Sequence, residues 1–283
     1  MLESQAYIAD HAIATSIFLA TELNKPLLVE GPSGVGKTEI AKVMARALNT
    51  TLIRLQCYEG IDAGMALYEW NYQRQLLHIK LEERGEKSIE DKEAAIFSEP
   101  FLLKRPLLQA LTCQTTPVLL IDEVDRADEA FESFLLEVLS DWQITIPEIG
   151  TIRATQIPHV VATSNRTREL SDALRRRCLY LWIDYPSMDK ELAIVQSKVP
   201  GIDARLARRI CAFVQAARQK KLQKLPGVAE TLDWAAALVA LHRTHLDEAT
   251  IQETLGVLFK SNEDAMRMKT QFLPEILRSI QAE

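Results

Sequence analysis

The chain is poor in cysteine and carries no excess of positive charge, and each scarcity narrows what it does. Cys57, Cys113, Cys178 and Cys211 are its only cysteines, and none has CxxC or CxxH spacing. The sequence therefore suggests neither a zinc site nor a disulfide framework, and the thiols read as small packing groups in a reducing compartment. Lysine and arginine number 33 against 39 acidic residues, a net charge of −6, which gives no support to a general nucleic-acid-binding surface. No segment approaches ~18 apolar residues without a charge, so no transmembrane segment is expected. Met1-Leu2-Glu3-Ser4 lacks the basic region of a signal peptide, so the expected location is the cytoplasm, any peripheral membrane association being made through partners. An internal repeat and a low-complexity arm are also lacking. At 283 residues with 47% hydrophobic content, one or two domains with a substantial core are expected.

Against these absences stands Gly31-Pro32-Ser33-Gly34-Val35-Gly36-Lys37-Thr38, a complete GxxxxGK[ST] phosphate loop. The apolar strand Pro26-Leu27-Leu28-Val29 precedes it and a helical run, Glu39 to Leu48, follows. Glycines let successive N–H groups turn toward phosphate oxygens, and a helix start adds partial positive charge. Lys37 is expected to reach the β- and γ-phosphates of ATP, and Thr38 to place its hydroxyl on Mg²⁺. An incidental glycine turn is the competing reading, and the strand-before, helix-after context argues against it.

A second apolar run, Val118-Leu119-Leu120-Ile121, reads as a strand buried on both faces and ends in Asp122-Glu123. Open α/β sheets bind ligands at that carboxyl edge. Asp122 is expected to hold Mg²⁺ through its water shell, and Glu123 to orient and polarise the attacking water. Pro158 to Thr163 reads as another strand, ending in Ser164-Asn165, where Asn165 can stand between water and γ-phosphate. A short helix, Ser171 to Arg177, presents Arg175-Arg176-Arg177 before the strand Leu179 to Trp182. Such clusters ordinarily form solvated faces. Placed between two core strands, this one reads better as the source of an arginine finger acting on a neighbour's nucleotide.

Elsewhere helix and strand alternate, the pattern of a doubly wound α/β domain with a parallel sheet. A leading helix is expected from about Glu3 to Leu23, with Tyr7, His11, Ala14, Ile17 and Phe18 on related faces. Residues 60–110 are less regular; Tyr68, Trp70 and Tyr72 lie close together, serving packing or substrate. The run Glu82, Glu83, Arg84, Glu86, Lys87, Glu90, Asp91, Lys92 reads as an exposed helix or loop. Asp128 looks like an N-cap before Phe131, Phe134, Leu135, Val138 and Leu139 at helical spacing. A hairpin is expected over 142–154, turning at Pro147-Glu148-Ile149-Gly150. From Pro186 the pattern is helical only. Asp203 caps a helix with Leu206, Ile210, Phe213, Val214 and Ala217 on one face, and Trp234, Leu238 and Leu241 mark the next.

Taken in order, these motifs resemble the AAA+ ATPases. The blocks VLLIDEVDRADEAFESFLLEVLSDWQITIPEIGTIRA and ATSNRTRELSDALRRRCLYLWIDYP resemble the MoxR family, and YEWNYQRQLLHIK and PGVAETLDWAAAL its branch beside molybdenum hydroxylase genes, typified by carbon monoxide dehydrogenase maturation. The resemblance implies an AAA+ P-loop NTPase core over 1–185, with an insertion around 60–110, then a small all-helical lid over 186–283. It also implies a hexameric ring, ATP and Mg²⁺ as cofactors, and a protein client such as a molybdenum hydroxylase with a von Willebrand A-type adaptor. An AAA+ protein acting on nucleic acid and a weakly hydrolysing scaffold are the alternative functions. One departure stands out. Many relatives carry a sensor arginine early in a lid helix, where this chain reads Gly227-Val228-Ala229-Glu230-Thr231-Leu232-Asp233-Trp234. Arg208 and Arg209 lie in an earlier lid helix and are candidates by presence alone.

Overall fold

The computed structural model describes residues 7–8, 10–81 and 95–281, which divide into two compact units. One comprises His11–Glu30 and Thr38–Trp182. The other comprises Gly31–Lys37 and Ile183–Glu283, with the described residues of Met1–Asp10.

The first unit is built on a five-stranded parallel sheet. Its strands are β1 (Leu27–Glu30), β2 (Leu52–Gln56), β5 (Val118–Asp122), β8 (His159–Ser164) and β9 (Leu179–Trp182), in the order β2-β5-β8-β1-β9. All residues of β1 and β5 are buried, which explains why both read as unbroken apolar runs: helices cover both faces, so neither face needs polar alternation. Parallel pairing puts every carboxyl end on one edge. Gln56 pairs with Asp122 and Glu30 with Ser164 in register, so four polar side chains collect where the strands stop.

Helix α1 (His11–Glu22) begins well after the expected start, with Tyr7, Ile8 and Asp10 in irregular backbone. Its buried residues are Ile13, Ile17 and Ala20, whereas His11, Ala14 and Phe18 are exposed. This helix is apolar nearly all round, so its sequence does not choose a face; packing against β1 and β9 does. Helix α2 (Lys37–Ala47) follows the phosphate loop. Between β2 and β5 come α3 (Ala63–Leu67), β3 (Tyr68–Trp70), α4 (Tyr72–Leu81), β4 (Leu102–Lys104) and α5 (Pro106–Leu111), with β3 and β4 antiparallel. The charged run 82–94 lies outside the described residues.

Asp128 caps α6 (Glu129–Asp141) by accepting from Phe131 N at 2.8 Å, as its sequence predicts. Phe131, Leu135, Val138 and Leu139 are core, with Phe134 half-buried beside them. The hairpin β6 (Gln143–Ile146) and β7 (Gly150–Arg153) follows, and α7 (Asp172–Arg177) leads into β9.

The second unit is helical: α8 (Met188–Lys198), α9 (Ala204–Arg218), α10 (Val228–Ala240), α11 (Glu248–Leu258), α12 (Asn262–Arg267) and α13 (Leu273–Gln281). Asp203 caps α9 through Arg205 N and Leu206 N, and the expected apolar face is fully buried. Leu241 departs from expectation: it is the residue after α10 and is 53% exposed. A capping position has left the helical face that its spacing suggested.

Candidate functional site

Asp122 ends β5 with its carboxylate buried and all its oxygens engaged. Oδ1 accepts from Thr38 Oγ1 at 3.0 Å and Thr163 Oγ1 at 2.5 Å. Oδ2 accepts from Arg54 Nε at 3.1 Å and Nη2 at 2.6 Å. Thr38 and Asp122, far apart in sequence, therefore meet. A hydroxyl and a carboxylate are the hard oxygen donors that Mg²⁺ prefers, and a cationic group already sits on Oδ2, so this donor set fits the ion.

Glu123 continues into the left-handed region at φ 55°, uncommon for a residue with a long side chain. The turn is held by Glu123 N donating to Thr163 Oγ1 at 3.0 Å. It aims the carboxylate between neighbours from other elements: Gln56 Nε2 at 3.1 Å, Asn165 Nδ2 at 3.4 Å and Arg126 Nε at 3.0 Å. Non-glycine left-handed backbone persists only where surroundings enforce it.

Asn165 is held from behind by Asp125. Asp125 Oδ2 accepts from Asn165 N at 3.2 Å, Thr167 N at 2.8 Å and Thr167 Oγ1 at 2.7 Å. Asp125, Gln56 and Arg54 were not singled out from sequence. Gln56 and Arg54 had a weak signal, two polar residues at period two closing a strand, while Asp125 had none. Cys57 lies beside this carboxylate group; burial first, then the charges of Asp122, Asp125 and Glu123, push its thiol up to about 12. It stays protonated and is no nucleophile.

The three arginines of α7 separate. Arg175 turns inward, its Nη2 3.6 Å from the buried carboxylate of Glu30, which also accepts from Tyr180 OH at 3.1 Å. Arg176 and Arg177 are exposed, and neither makes an ion pair with another described residue.

In the second unit the phosphate loop is closed on itself. Lys37 is buried and donates to the carbonyls of Gly31 and Pro32, each at 2.7 Å. A Cβ on Gly31 would fall 2.0 Å from Ile183 O, so no side chain fits there. Gly34, at φ +79°, meets the start of α10: its carbonyl accepts from Ala229 N at 3.1 Å, and a Cβ on Gly227 would lie 2.8 Å from Gly34 Cα. Glu230 caps Gly227 N at 2.9 Å. At Gly227, in the stretch where many relatives carry a sensor arginine, backbone meets backbone. Arg208 and Arg209 are exposed. Among the described residues of this unit the buried arginine is Arg218, which pairs with both oxygens of Glu191 at 2.7 Å and donates to Pro226 O at 2.8 Å.

The sequence profile of the AAA domain (dynein-related subfamily) matches residues 26–178, more than half the chain. The protein belongs to this AAA+ ATPase family. An uncharacterised protein of Staphylococcus haemolyticus is 25% identical over 230 residues, covering 79% of this chain and 80% of its own. Another, from Staphylococcus aureus strain RF122, is 28% identical over 209 residues, covering 71% and 72%. Among solved structures, the RuvB Holliday junction branch migration motor of Thermotoga maritima superposes with a TM-score of 0.51 at 19% identity, covering 98% of this chain and 83% of that one. At that identity the likeness shows the fold alone.

This AAA+ chain has a recess in its first unit. A cavity of about 990 Å³ lies between the segment around α3–β3 and the β6–β7 hairpin, lined among others by Tyr58, Tyr68, Tyr72, Glu137 and Glu148. The nearby aromatics divide. Trp70 is core, edge-on to Tyr68 at 6.0 Å and Phe97 at 5.3 Å, whereas Tyr72 is 63% exposed. Among the described residues, no group of His, Cys, Asp and Glu forms a metal cluster and no helix is long and apolar enough to cross a membrane.

Proposed function

We propose that this protein binds ATP with Mg²⁺ and hydrolyses it, as a MoxR-type AAA+ chaperone that remodels a protein client. The observation that carries the hydrolytic reading is Glu123, held in left-handed backbone beside Asp122 with Gln56 and Asn165 on its carboxylate. A carboxylate so placed orients a water and takes its proton. Asn165 aligns that water. Backbone N–H groups of Gly34 to Thr38 cradle phosphate, and Lys37 gives its charge to the β- and γ-phosphates, stronger partners than the loop carbonyls it now holds. Thr38 and Asp122 would hold Mg²⁺, which when bound neutralises phosphate charge and polarises the phosphoryl oxygens.

Residues 1–185 are read as the nucleotide-binding domain and 186–283 as the lid. Arg177, with Arg176 beside it, is assigned to a neighbouring subunit's nucleotide in a ring, a hexamer by resemblance; their exposure, with no ion pair to another described residue, supports this. The client is read as a molybdenum hydroxylase, with a von Willebrand A-type adaptor. It engages the hairpin around Pro147 to Gly150 and the 60–110 insertion, and their shared aromatic and acidic recess supports that assignment.

The test measures nucleotide affinity and turnover separately. Lys37→Ala should lose ATP binding. Glu123→Gln should bind ATP but hydrolyse it ~10²-fold more slowly or worse. Parental turnover by Glu123→Gln refutes the assignment of the base. Cells carrying Glu123→Gln should accumulate client short of cofactor; fully loaded client sinks the chaperone reading, and DNA-stimulated turnover by the parent favours the nucleic-acid alternative.

A further inference from the structure

We propose that Arg54 is an internal competitor for the metal-binding carboxylate, setting how much divalent ion the nucleotide site demands. The inference rests on the reading that Asp122 holds Mg²⁺. Arg54 lies on β2, in the strand next to β5, and delivers two N–H donors to a single oxygen, Asp122 Oδ2, at 3.1 and 2.6 Å. The other oxygen is taken by the hydroxyls of Thr38 and Thr163. Both oxygens of this buried carboxylate are thus engaged by four donors, so a divalent ion, or a water of its shell, gains it only as a donor gives way. Hydroxyls are neutral and can remain as neighbours of a metal carboxylate. The guanidinium is the cationic group that β2 places on Asp122, and it must leave for charge reasons as well as space.

Arg54 is built to leave. Its side chain is 53% exposed, so on release the guanidinium returns to water rather than to a buried, unpaired state. Its departure also affects Glu123. Arg54 Nη2 donates to Gln56 Oε1 at 2.5 Å, and Gln56 Nε2 donates to Glu123 Oε2 at 3.1 Å. Residues 54 and 56 share one face of β2, so two adjacent side chains tie the metal carboxylate to the base. Filling the metal position therefore frees Gln56 from one of its three anchors, leaving Glu123 Oε2 and the carbonyl of Cys57, which accepts from Gln56 Nε2 at 3.3 Å. Metal occupancy and the freedom of the base are coupled through this strand edge.

A purely structural ion pair would make a different prediction, since its loss would lower stability without changing ion demand. The experiment titrates Mg²⁺ against binding of a fluorescent ATP analogue by the full chain, using parent, Arg54→Met, Arg54→Lys and Arg126→Met. Arg54→Met keeps the aliphatic stem and should lower the Mg²⁺ midpoint roughly three- to fivefold, the scale set by one partly exposed charge pair. Arg54→Lys, with a point charge in place of a fork, should fall between. Arg126→Met removes a similarly exposed guanidinium from Glu123 rather than Asp122, and should move the midpoint less than about half as far. An unmoved or raised midpoint in Arg54→Met, or an equal shift in Arg126→Met, overturns the proposal. If Arg54→Met does not fold, judged by its melt without ligand, the Lys variant decides alone by the same sign. Absence of Mg²⁺-dependent binding in the parent removes the underlying reading too; binding with an unmoved midpoint overturns this inference only.

Discussion

Replacing Arg218 by methionine should destabilise the helical unit severely. Glu191 is wholly buried, and its carboxylate has four donors: Arg218 Nη2 and Thr231 Oγ1 on Oε1, and Arg218 Nη1 and Gln215 Nε2 on Oε2. Arg218→Met leaves the two neutral donors and removes the only charge in that set. Stranding one partner of a buried pair costs about 3–5 kcal/mol, and the lost bond to Pro226 O lies within that range rather than on top of it. The assay is chemical denaturation followed by tryptophan fluorescence, with Trp234, fully buried against Phe213 in this core, as reporter. A companion double variant, Arg218→Met with Glu191→Leu, should recover at least about half of the loss, because an apolar pair has no buried charge to solvate. Its neutral neighbours keep partners: Gln215 still donates to Pro186 O and Thr231 to Gly227 O. A loss under about 1 kcal/mol for the single variant, or a double variant no better than the single, refutes the argument. The consequence reaches the phosphate loop, since Pro226 precedes the Gly227 that packs on Gly34.

Mixing Lys37→Ala with Arg177→Ala subunits, each inactive alone, should restore part of the ATPase activity, whereas Arg175→Ala should chiefly destabilise the first unit, because its partner Glu30 is buried. No recovery in demonstrably mixed rings counts against a finger given in trans. Burial raises the thiols of Cys57, Cys178 and Cys211 to about 12, from 9.0, so iodoacetamide at pH 8 should leave them unlabelled in native protein. Their neutral forms favour the fold fully below about pH 9, and that contribution is lost as pH rises from 9 toward 12; stability unchanged across that window in a Cys57→Ser, Cys178→Ser, Cys211→Ser comparison argues against it. Gly227→Ala should weaken nucleotide binding, since the new Cβ would lie 2.8 Å from both Gly34 Cα and Ser33 O; parental affinity contradicts the claim that this backbone contact matters.

The sequence alone determined the elements whose chemistry is local. A GxxxxGK[ST] run between strand and helix, an apolar strand ending in two acids, and Asp128 or Asp203 before a helical stripe each state their backbone through short-range rules. Periodicity likewise identified the core of α6 and α9. It failed for α1, where apolar residues run nearly all round and either of two stripes can be buried, and for Leu241, whose spacing continued past the helix end. Tertiary structure decided what depends on which strand lies beside which. Parallel pairing of β2 with β5 brings Arg54 onto Asp122 and Gln56 onto Glu123, though 68 and 67 residues separate the partners. It also sorts Arg175, tied to Glu30, from the exposed Arg176 and Arg177, three identical side chains in sequence. Such contacts arise from long-range register, and a local pattern of residue types carries no record of the strand that will become its neighbour.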